Sequence, residues 1–477
     1  MDQTCFDLLV IGSGPAGEHG ALTAALFGKK VGLIEKSPYL GGTSANTGTL
    51  PSKTLRETAL AISGLKARDL YGVDLSLRRE ATVADLMYHE QHVKQNARER
   101  IQRNIAQCNI ELIRGMARFL DPHTLAVTPT SDDASPQPTP DLVLKGKIIL
   151  IATGSSPVHP PGFEFADQRV HDSDEILQLQ RLPHSLAVVG AGVIGSEYAC
   201  TFAALGTKVT VVDGRDELLP FLDRELSAAL QTSMGESLKI DFRWGRRVTS
   251  CRVPESPEAP VELALSSGET LRVDAALIAA GRASNTQLLD LHAAGITPGP
   301  KGLIPVNAHY RTTTPNIYAA GDVIGFPALA ATSAEQARIA ISHAFREGTK
   351  QAMAPLLPTG IYTIPEVSMV GAPEEELKDK GIDYVVGRAD YSGNARGEII
   401  GDQYGFLKLI FERNQMTLLG VHAIGEHASE LVHPGMIAML AGATADLFNQ
   451  ACFNYPTLGD LYKDATYDAL ARRESMA

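Results

Sequence analysis

Residues 6–35 read FDLLVIGSGPAGEHGALTAALFGKKVGLIE. An unbroken apolar run, of the kind a strand buried on both faces needs, opens into Gly12-Ser-Gly14-Pro-Ala-Gly17. A helix-compatible stretch follows, then a second apolar run that closes on Glu35. Each glycine has a mechanical reading. Gly12 permits the tight turn from strand to helix, Gly14 lets the backbone approach a pyrophosphate, and Gly17 lets helix and sheet pack closely. A phosphate would then rest on the helix N-terminus, and Glu35 would accept hydrogen bonds from a ribose.

One such unit is weak support for a dinucleotide site, but the chain carries two. Residues 186–213, LAVVGAGVIGSEYACTFAALGTKVTVVD, repeat the plan with Gly190, Gly192 and Gly195 and end on Asp213. Gly17 to Glu35 and Gly195 to Asp213 are the same 18-residue step. Two strand–turn–helix–strand units with an acid at equal spacing predict two bound dinucleotides.

The rest of the chain arranges itself around these units. Residues 81–107 are rich in Arg, Glu, Gln and Ala and read as a long helix. The polar, Pro-rich stretch 128–142 reads as a mobile loop between strands. KIILIATGSSPVHPPG (147–162) and LIAAGRASNT (277–286) read as strands with crossovers into and out of a second domain. NIYAAGDVIG (316–325) is another buried strand ending at Gly321 and Asp322, and from about residue 350 the texture becomes α+β.

Composition bounds the function. With 477 residues, 44% hydrophobic and 21% charged, the chain reads as a soluble globular protein of about three domains. A formal net charge of -12 disfavours nucleic acid and anionic membrane surfaces as partners. No apolar run spans a bilayer, no secretion signal precedes the first strand, and five scattered cysteines fit a reducing cytoplasm. GEHASELVHP places His427 and His433 six residues apart, unlike the i, i+4 pair of a metal helix. No metal site is expected.

VIGSGPAGEHGA, GGTSANTGTLPSK (41–53, which reads as a loop), IATGSSP, GAGVIGSEYA, AAGR and YAAGDV occur in order. In this the chain resembles the pyridine nucleotide–disulfide oxidoreductases over essentially its whole length. The resemblance implies a glutathione-reductase-like α/β fold with two Rossmann-like domains and a C-terminal α+β dimerisation domain. FAD would occupy 1–156 with 282–350, NAD(P) 157–281, and residues 351–477 would form a homodimer interface. It also implies that Gly12, Gly14, Gly17, Glu35, Gly42, Thr43, Gly154, Gly321 and Asp322 hold FAD. Gly190, Gly192, Gly195, Asp213 and Gly281 would hold the nicotinamide nucleotide. Lys53 would face the flavin, paired with Glu197, where a fixed cation stabilises developing negative charge.

Asp213 suits the 2′-hydroxyl of NAD and repels the 2′-phosphate of NADP, by about 4 kcal/mol for like charges ~4 Å apart at an effective dielectric of ~20. Arg215, two residues on, either receives that phosphate or is a solvated loop arginine. The pair favours NAD while leaving NADP open.

Two departures from the family pattern decide the chemistry. Ser44 and Thr49 stand where its disulfide reductases carry cysteines, and Tyr455 and Asp460 stand where they carry an acid/base His and its Glu. A hydroxyl cannot relay an electron pair as a disulfide does, and a tyrosine with a pKa near ~10 is a poor proton shuttle at neutral pH. What remains is a flavin reduced by one nicotinamide and reoxidised by another. TGTLPSK, FNYPT and PTGIYTIPEVSMVG look most like the soluble transhydrogenase branch, and Val193 replaces a gating tyrosine of glutathione reductase. Two alternatives stay open: an NAD(P)H diaphorase that reduces quinones, and a non-catalytic redox-sensing subunit.

Overall fold

The computed structural model describes residues 5–63, 83–130, 141–179, 181–348 and 350–475. Most of the Pro-rich stretch 128–142 therefore lies outside the described residues.

The first glycine unit folds as strand Cys5–Ile11, helix Pro15–Leu26 and strand Val31–Glu35. These strands pair in parallel, with Val10 opposite Leu33, and Glu111–Arg114 continues the sheet on one side. On the other side Leu142–Ile151 pairs in parallel with Cys5–Ile11 and with Ile317–Ala319. Two antiparallel strands, Thr124–Thr128 and Met116–Asp121, complete the sheet. Leu8, Leu9 and Val10 are all fully buried, as a strand covered on both faces requires.

The second unit builds a parallel sheet in the spatial order Asp241–Arg243, Lys208–Val212, Ser185–Val189, Ala275–Ile278, Val170–His171. The two crossovers lie side by side: Arg282–Ser284 pairs antiparallel with Ser155–Pro157. Beyond residue 350, five antiparallel strands run Thr359–Ile361, Glu366–Gly371, Leu418–Gly425, Phe406–Glu412, Tyr384–Asp390 across the sheet. Helix Ala428–Leu440 and helix Leu461–Ser475 cover its core.

The segment 41–53, loop-like in sequence, is largely helical. Gly42–Asn46 forms a short helix, and a longer one, Thr49–Ser63, begins at Thr49. Pro51 sits in its first turn, where a missing N–H breaks no helical bond.

A buried ion cluster ties the C-terminal sheet to the second unit. Lys408, fully buried on strand Phe406–Glu412, reaches Asp223 Oδ1 at 2.9 Å, Glu225 Oε2 at 3.0 Å and Glu374 Oε1 at 2.5 Å. Asp223 also caps helix Arg224–Glu236 by accepting from Glu225 N. Burial alone would push the Lys408 ammonium down, yet Glu374 and Asp223 outweigh it and raise its pKa. Burial likewise opposes the Glu374 carboxylate, but Lys408 and the Tyr384 hydroxyl hold it at about 2.

The contribution of Glu374 to stability is therefore complete above its ordinary value of 4.5 and lost as pH falls through about 2. That of Lys408 is complete below its ordinary 10.5 and lost only above it. Lys408→Met, which strands the carboxylates, is expected to cost about 3 kcal/mol or more near neutrality, read as a lowered urea midpoint. An unchanged midpoint would show that the cluster does not hold these parts together.

Candidate functional site

The two glycine turns share one hydrogen-bonding scheme. Gly12 N donates to Ile34 O at 2.8 Å, and Gly190 N to Val212 O at 2.9 Å. The residue after each first glycine then donates its amide to the acid: Ser13 N to Glu35 Oε2 at 2.9 Å, Ala191 N to Asp213 Oδ2 at 2.7 Å. The acid two residues before each loop exit also accepts a backbone amide from that exit, Ser37 N at 2.8 Å and Arg215 N at 2.8 Å. Glu35 and Asp213 thus brace the turns, a role that sequence spacing does not reveal.

Steric geometry separates the glycines by purpose. A methyl on Gly17 would lie 1.8 Å from Gly12 O, and one on Gly195 1.9 Å from Gly190 O. On Gly12 and Gly190 it would meet Ala152 O at 2.4 Å and Ala279 O at 2.5 Å, and both backbones have positive φ. Protein packing alone demands these four. Gly14 and Gly192 differ: both have ordinary extended backbone, φ -65° and -78°. A methyl on Gly14 would find only Gly42 Cα, at 3.9 Å, and one on Gly192 nothing within 4 Å. Nothing among the described residues needs glycine there. The open space in front of a helix N-terminus fits a pyrophosphate that must touch the backbone.

Around the first turn lies a cavity of about 550 Å³, within the range of small-molecule and cofactor sites. Its wall includes Gly12, Gly14, Glu35, Gly42, Thr43, Gly154, Gly321 and Asp322, with Ser44 and Thr49 among them. Gly17 stays behind the wall, against Gly12. Four supporting residues escaped the sequence reading. Ser13 Oγ joins Glu35 Oε2 at 2.6 Å and accepts from Gly41 N at 3.1 Å. Ser155 Oγ donates to Asp322 Oδ2 at 2.7 Å and accepts from Arg282 Nε at 2.9 Å. Gln336 Oε1 accepts from Gly321 N at 2.8 Å. Gly281 borders a second cavity with Arg282, Gln287 and Lys301.

One helical turn beyond Thr49, on the same helix face, stands Lys53. Its Nζ lies 2.6 Å from Glu197 Oε2, on helix Val193–Ala204, and 5.0 Å from the ring centroid of Tyr362. Glu197 Oε1 accepts from Tyr362 N at 2.9 Å, which fixes the carboxylate between the two. The sequence singled out Lys53 and Glu197 but not Tyr362, whose part depends on a fold contact across the chain.

At the second turn, Asp213 is buried and Arg215 grips it, Nε to Oδ1 at 3.0 Å and Nη2 to Oδ2 at 2.7 Å. Burial opposes the Asp213 charge, but the Arg215 guanidinium and the amides of Arg215 and Ala191 prevail and hold its pKa at about 2. Tyr455 is not brought to either turn; it is 78% exposed, on the cis Tyr455–Pro456 bond. His427 occupies the N-cap of its helix and stands 3.4 Å from Glu426, while His433 stands 3.8 Å from Glu430.

Comparison with known proteins agrees with this geometry. Residues 6–344 match the family model described as pyridine nucleotide-disulphide oxidoreductase, and residues 357–466 match its dimerisation domain. A soluble pyridine nucleotide transhydrogenase of Mycobacterium bovis is 45% identical over 99% of this chain and 98% of its own length. One from Colwellia psychrerythraea is 38% identical over 98% of each chain. Among solved structures, the HOCl-induced flavoprotein disulfide reductase RclA of Escherichia coli superposes with a TM-score of 0.86 at 28% identity. It covers 97% of this chain and 99% of that one. LpdA of Mycobacterium tuberculosis gives 0.87 at 26% identity over 97% and 99%.

The glycine geometry makes a paired prediction. Gly192→Ala is expected to leave stability within about 0.5 kcal/mol and to weaken NAD+ and NADP+ together by ten-fold or more on titration. Gly195→Ala is expected to disrupt the unit itself, visible as loss of cooperative unfolding. Full nucleotide affinity in Gly192→Ala would remove the argument for close backbone approach.

Proposed function

Since the chain belongs to the pyridine nucleotide-disulphide oxidoreductase family, whose members bind FAD and NAD(P), we propose that it is an FAD-dependent pyridine nucleotide transhydrogenase. It passes a hydride between NADPH/NADP+ and NADH/NAD+ in a ping-pong cycle, without thiol chemistry. The carrying observation is that Ser44 and Thr49 line the same cavity as Gly14 and Asp322. Hydroxyls there offer no disulfide to receive electrons, so the path to an external disulfide is closed.

In this reading Gly12, Gly14, Glu35, Gly42, Thr43, Gly154, Gly321 and Asp322 hold FAD, and Gly17 keeps the turn shut behind it. Gly192, Asp213, Arg215 and Gly281 hold the nicotinamide nucleotide, with Gly190 and Gly195 shaping that turn. FAD bound there would supply the two-electron chemistry that links one nicotinamide to another. The chain's part is orientation and charge. Lys53 provides a cation whose place is set before the reaction by Glu197 and the Tyr362 ring, so little reorganisation is needed as negative charge develops beside it. Val193, opening the second helix, leaves the approach free of a bulky side chain.

The C-terminal part is read as the homodimer interface. Ile437, Leu440, Leu447, Tyr455 and Tyr467 are all apolar or aromatic and exposed in the single chain, as a surface covered by a second copy would be. Tyr455 then shapes the partner subunit's pocket. Among the described residues no helix is long and apolar enough to cross a membrane. The five free cysteines are in keeping with the cytoplasmic setting proposed for the chain.

Mixing the holoenzyme anaerobically with NADPH and thio-NAD+ is expected to form thio-NADH rapidly, and glutathione disulfide or lipoamide is expected not to be reduced. Turnover with a quinone alone would move the assignment to a diaphorase. A flavin that neither NADH nor NADPH bleaches would defeat both enzyme readings. Lys53→Met is expected to slow flavin reduction by roughly 100-fold in stopped flow while FAD stays bound. Tyr455→Phe with unchanged turnover and nucleotide affinity would exclude a chemical role for that hydroxyl.

A further inference from the structure

A ping-pong transhydrogenase of the kind proposed above must pass two nucleotides through one site, and these differ only at the adenosine ribose, 2′-hydroxyl against 2′-phosphate. We propose that Arg247, assisted by Arg246, receives the 2′-phosphate of NADP(H), while Arg215 remains on Asp213 to neutralise it.

The position of the cations carries the inference. Asp213 already accepts from Ala191 N, Arg215 N, Arg215 Nε and Arg215 Nη2, which fills the roughly four acceptor sites of a carboxylate. Arg215 is committed to that contact and has no idle donor edge toward the acid. The turn 245–247 folds back against the same place: Gly245 N donates to Arg215 O at 2.8 Å, and Arg246 N to Asp213 O at 3.0 Å. Arg247 lies across Gly214, the residue between the acid and Arg215. A methyl on Gly214 would come within 3.1 Å of Arg247 Nε and 3.2 Å of its Cγ.

Both Arg246 and Arg247 are exposed. Among the described residues, neither has a carboxylate within ion-pair distance, whereas nearby Arg243 is paired with Asp241 and Glu269. The turn beside the second acid therefore holds one neutralised carboxylate and two guanidinium groups without a carboxylate partner among the described residues, that of Arg246 making only a 3.5 Å contact from Nη1 to Gly245 O. Guanidinium matches phosphate geometry and forms charge-assisted bonds with it. For NAD(H) the 2′-hydroxyl instead displaces Arg215 and donates to Asp213, so each nucleotide finds its own counter-group in one pocket.

Titration of the oxidised holoenzyme with NADP+ and with NAD+, followed by calorimetry, tests this without turnover. Arg247→Ala is expected to weaken NADP+ by about ten-fold or more and leave NAD+ within about two-fold. Arg247→Lys is expected to keep most of the NADP+ affinity, and an unchanged flavin spectrum reports an intact fold. Adenosine 2′,5′-bisphosphate should follow NADP+, and 5′-AMP should follow NAD+. Unaltered NADP+ affinity in Arg247→Ala, or equal weakening of both nucleotides, overturns the inference while leaving the transhydrogenase reading standing. Wild-type enzyme that binds NAD+ but not NADP+ overturns both.

Discussion

An ammonium ion held where three parts of the chain meet is the constraint on which the site depends. Lys53 comes from the helix that follows the cavity at the first glycine turn, Glu197 from the helix of the second glycine unit, and Tyr362 from the C-terminal part. The same Thr49–Ser63 helix is fastened again one turn later. Arg56 Nε donates to Thr363 O at 2.9 Å, and Nη1 lies 3.2 Å from Glu366 Oε1. The wall residue Thr49 and the cation Lys53 thus ride on a helix that cannot shift without breaking buried charge contacts, and such breaks are costly. In the role proposed for Lys53 that stiffness is an advantage, because a cation that need not reorient acts at full strength.

The Lys408 cluster does comparable work at a second junction. There a lysine on the C-terminal sheet meets Asp223, at the start of a helix of the second unit. Both junctions place lysine against carboxylate across parts that are distant in sequence. Buried pairs of this kind add little net stability, since desolvation offsets the attraction. Their value is directional: they admit one placement of the parts and penalise others.

The fold was legible where the chain speaks locally. Apolar runs, three glycines and a terminal acid at fixed spacing specify a strand–turn–helix–strand unit through nearest-neighbour sterics, and both copies form it. The site was legible in part. Glycines and acids declare themselves by spacing, but Ser13, Ser155, Gln336 and Tyr362 act through contacts across the fold that leave no periodic trace. Residues 41–53 misled for a different reason. Adjacent Gly41 and Gly42, then Pro51, read as a loop, yet Gly41 only adopts the left-handed turn preceding a short helix, and Pro51 falls in a first turn. The acid at the end of each second strand was picked out by its spacing, and its bond to the glycine turn was not.

The two units differ at one matched place. Two residues past the acid, the amides of Ser37 and Arg215 make the same bond, at 2.8 Å in each. Beyond the backbone the likeness ends: Ser37 brings no charge to Glu35, whereas Arg215 clasps Asp213 with its guanidinium. A guest on Glu35 would displace no side-chain cation, whereas one on Asp213 would compete with Arg215 for the same oxygens. In the proposed reading, the nicotinamide nucleotide therefore meets a built-in competitor that FAD does not.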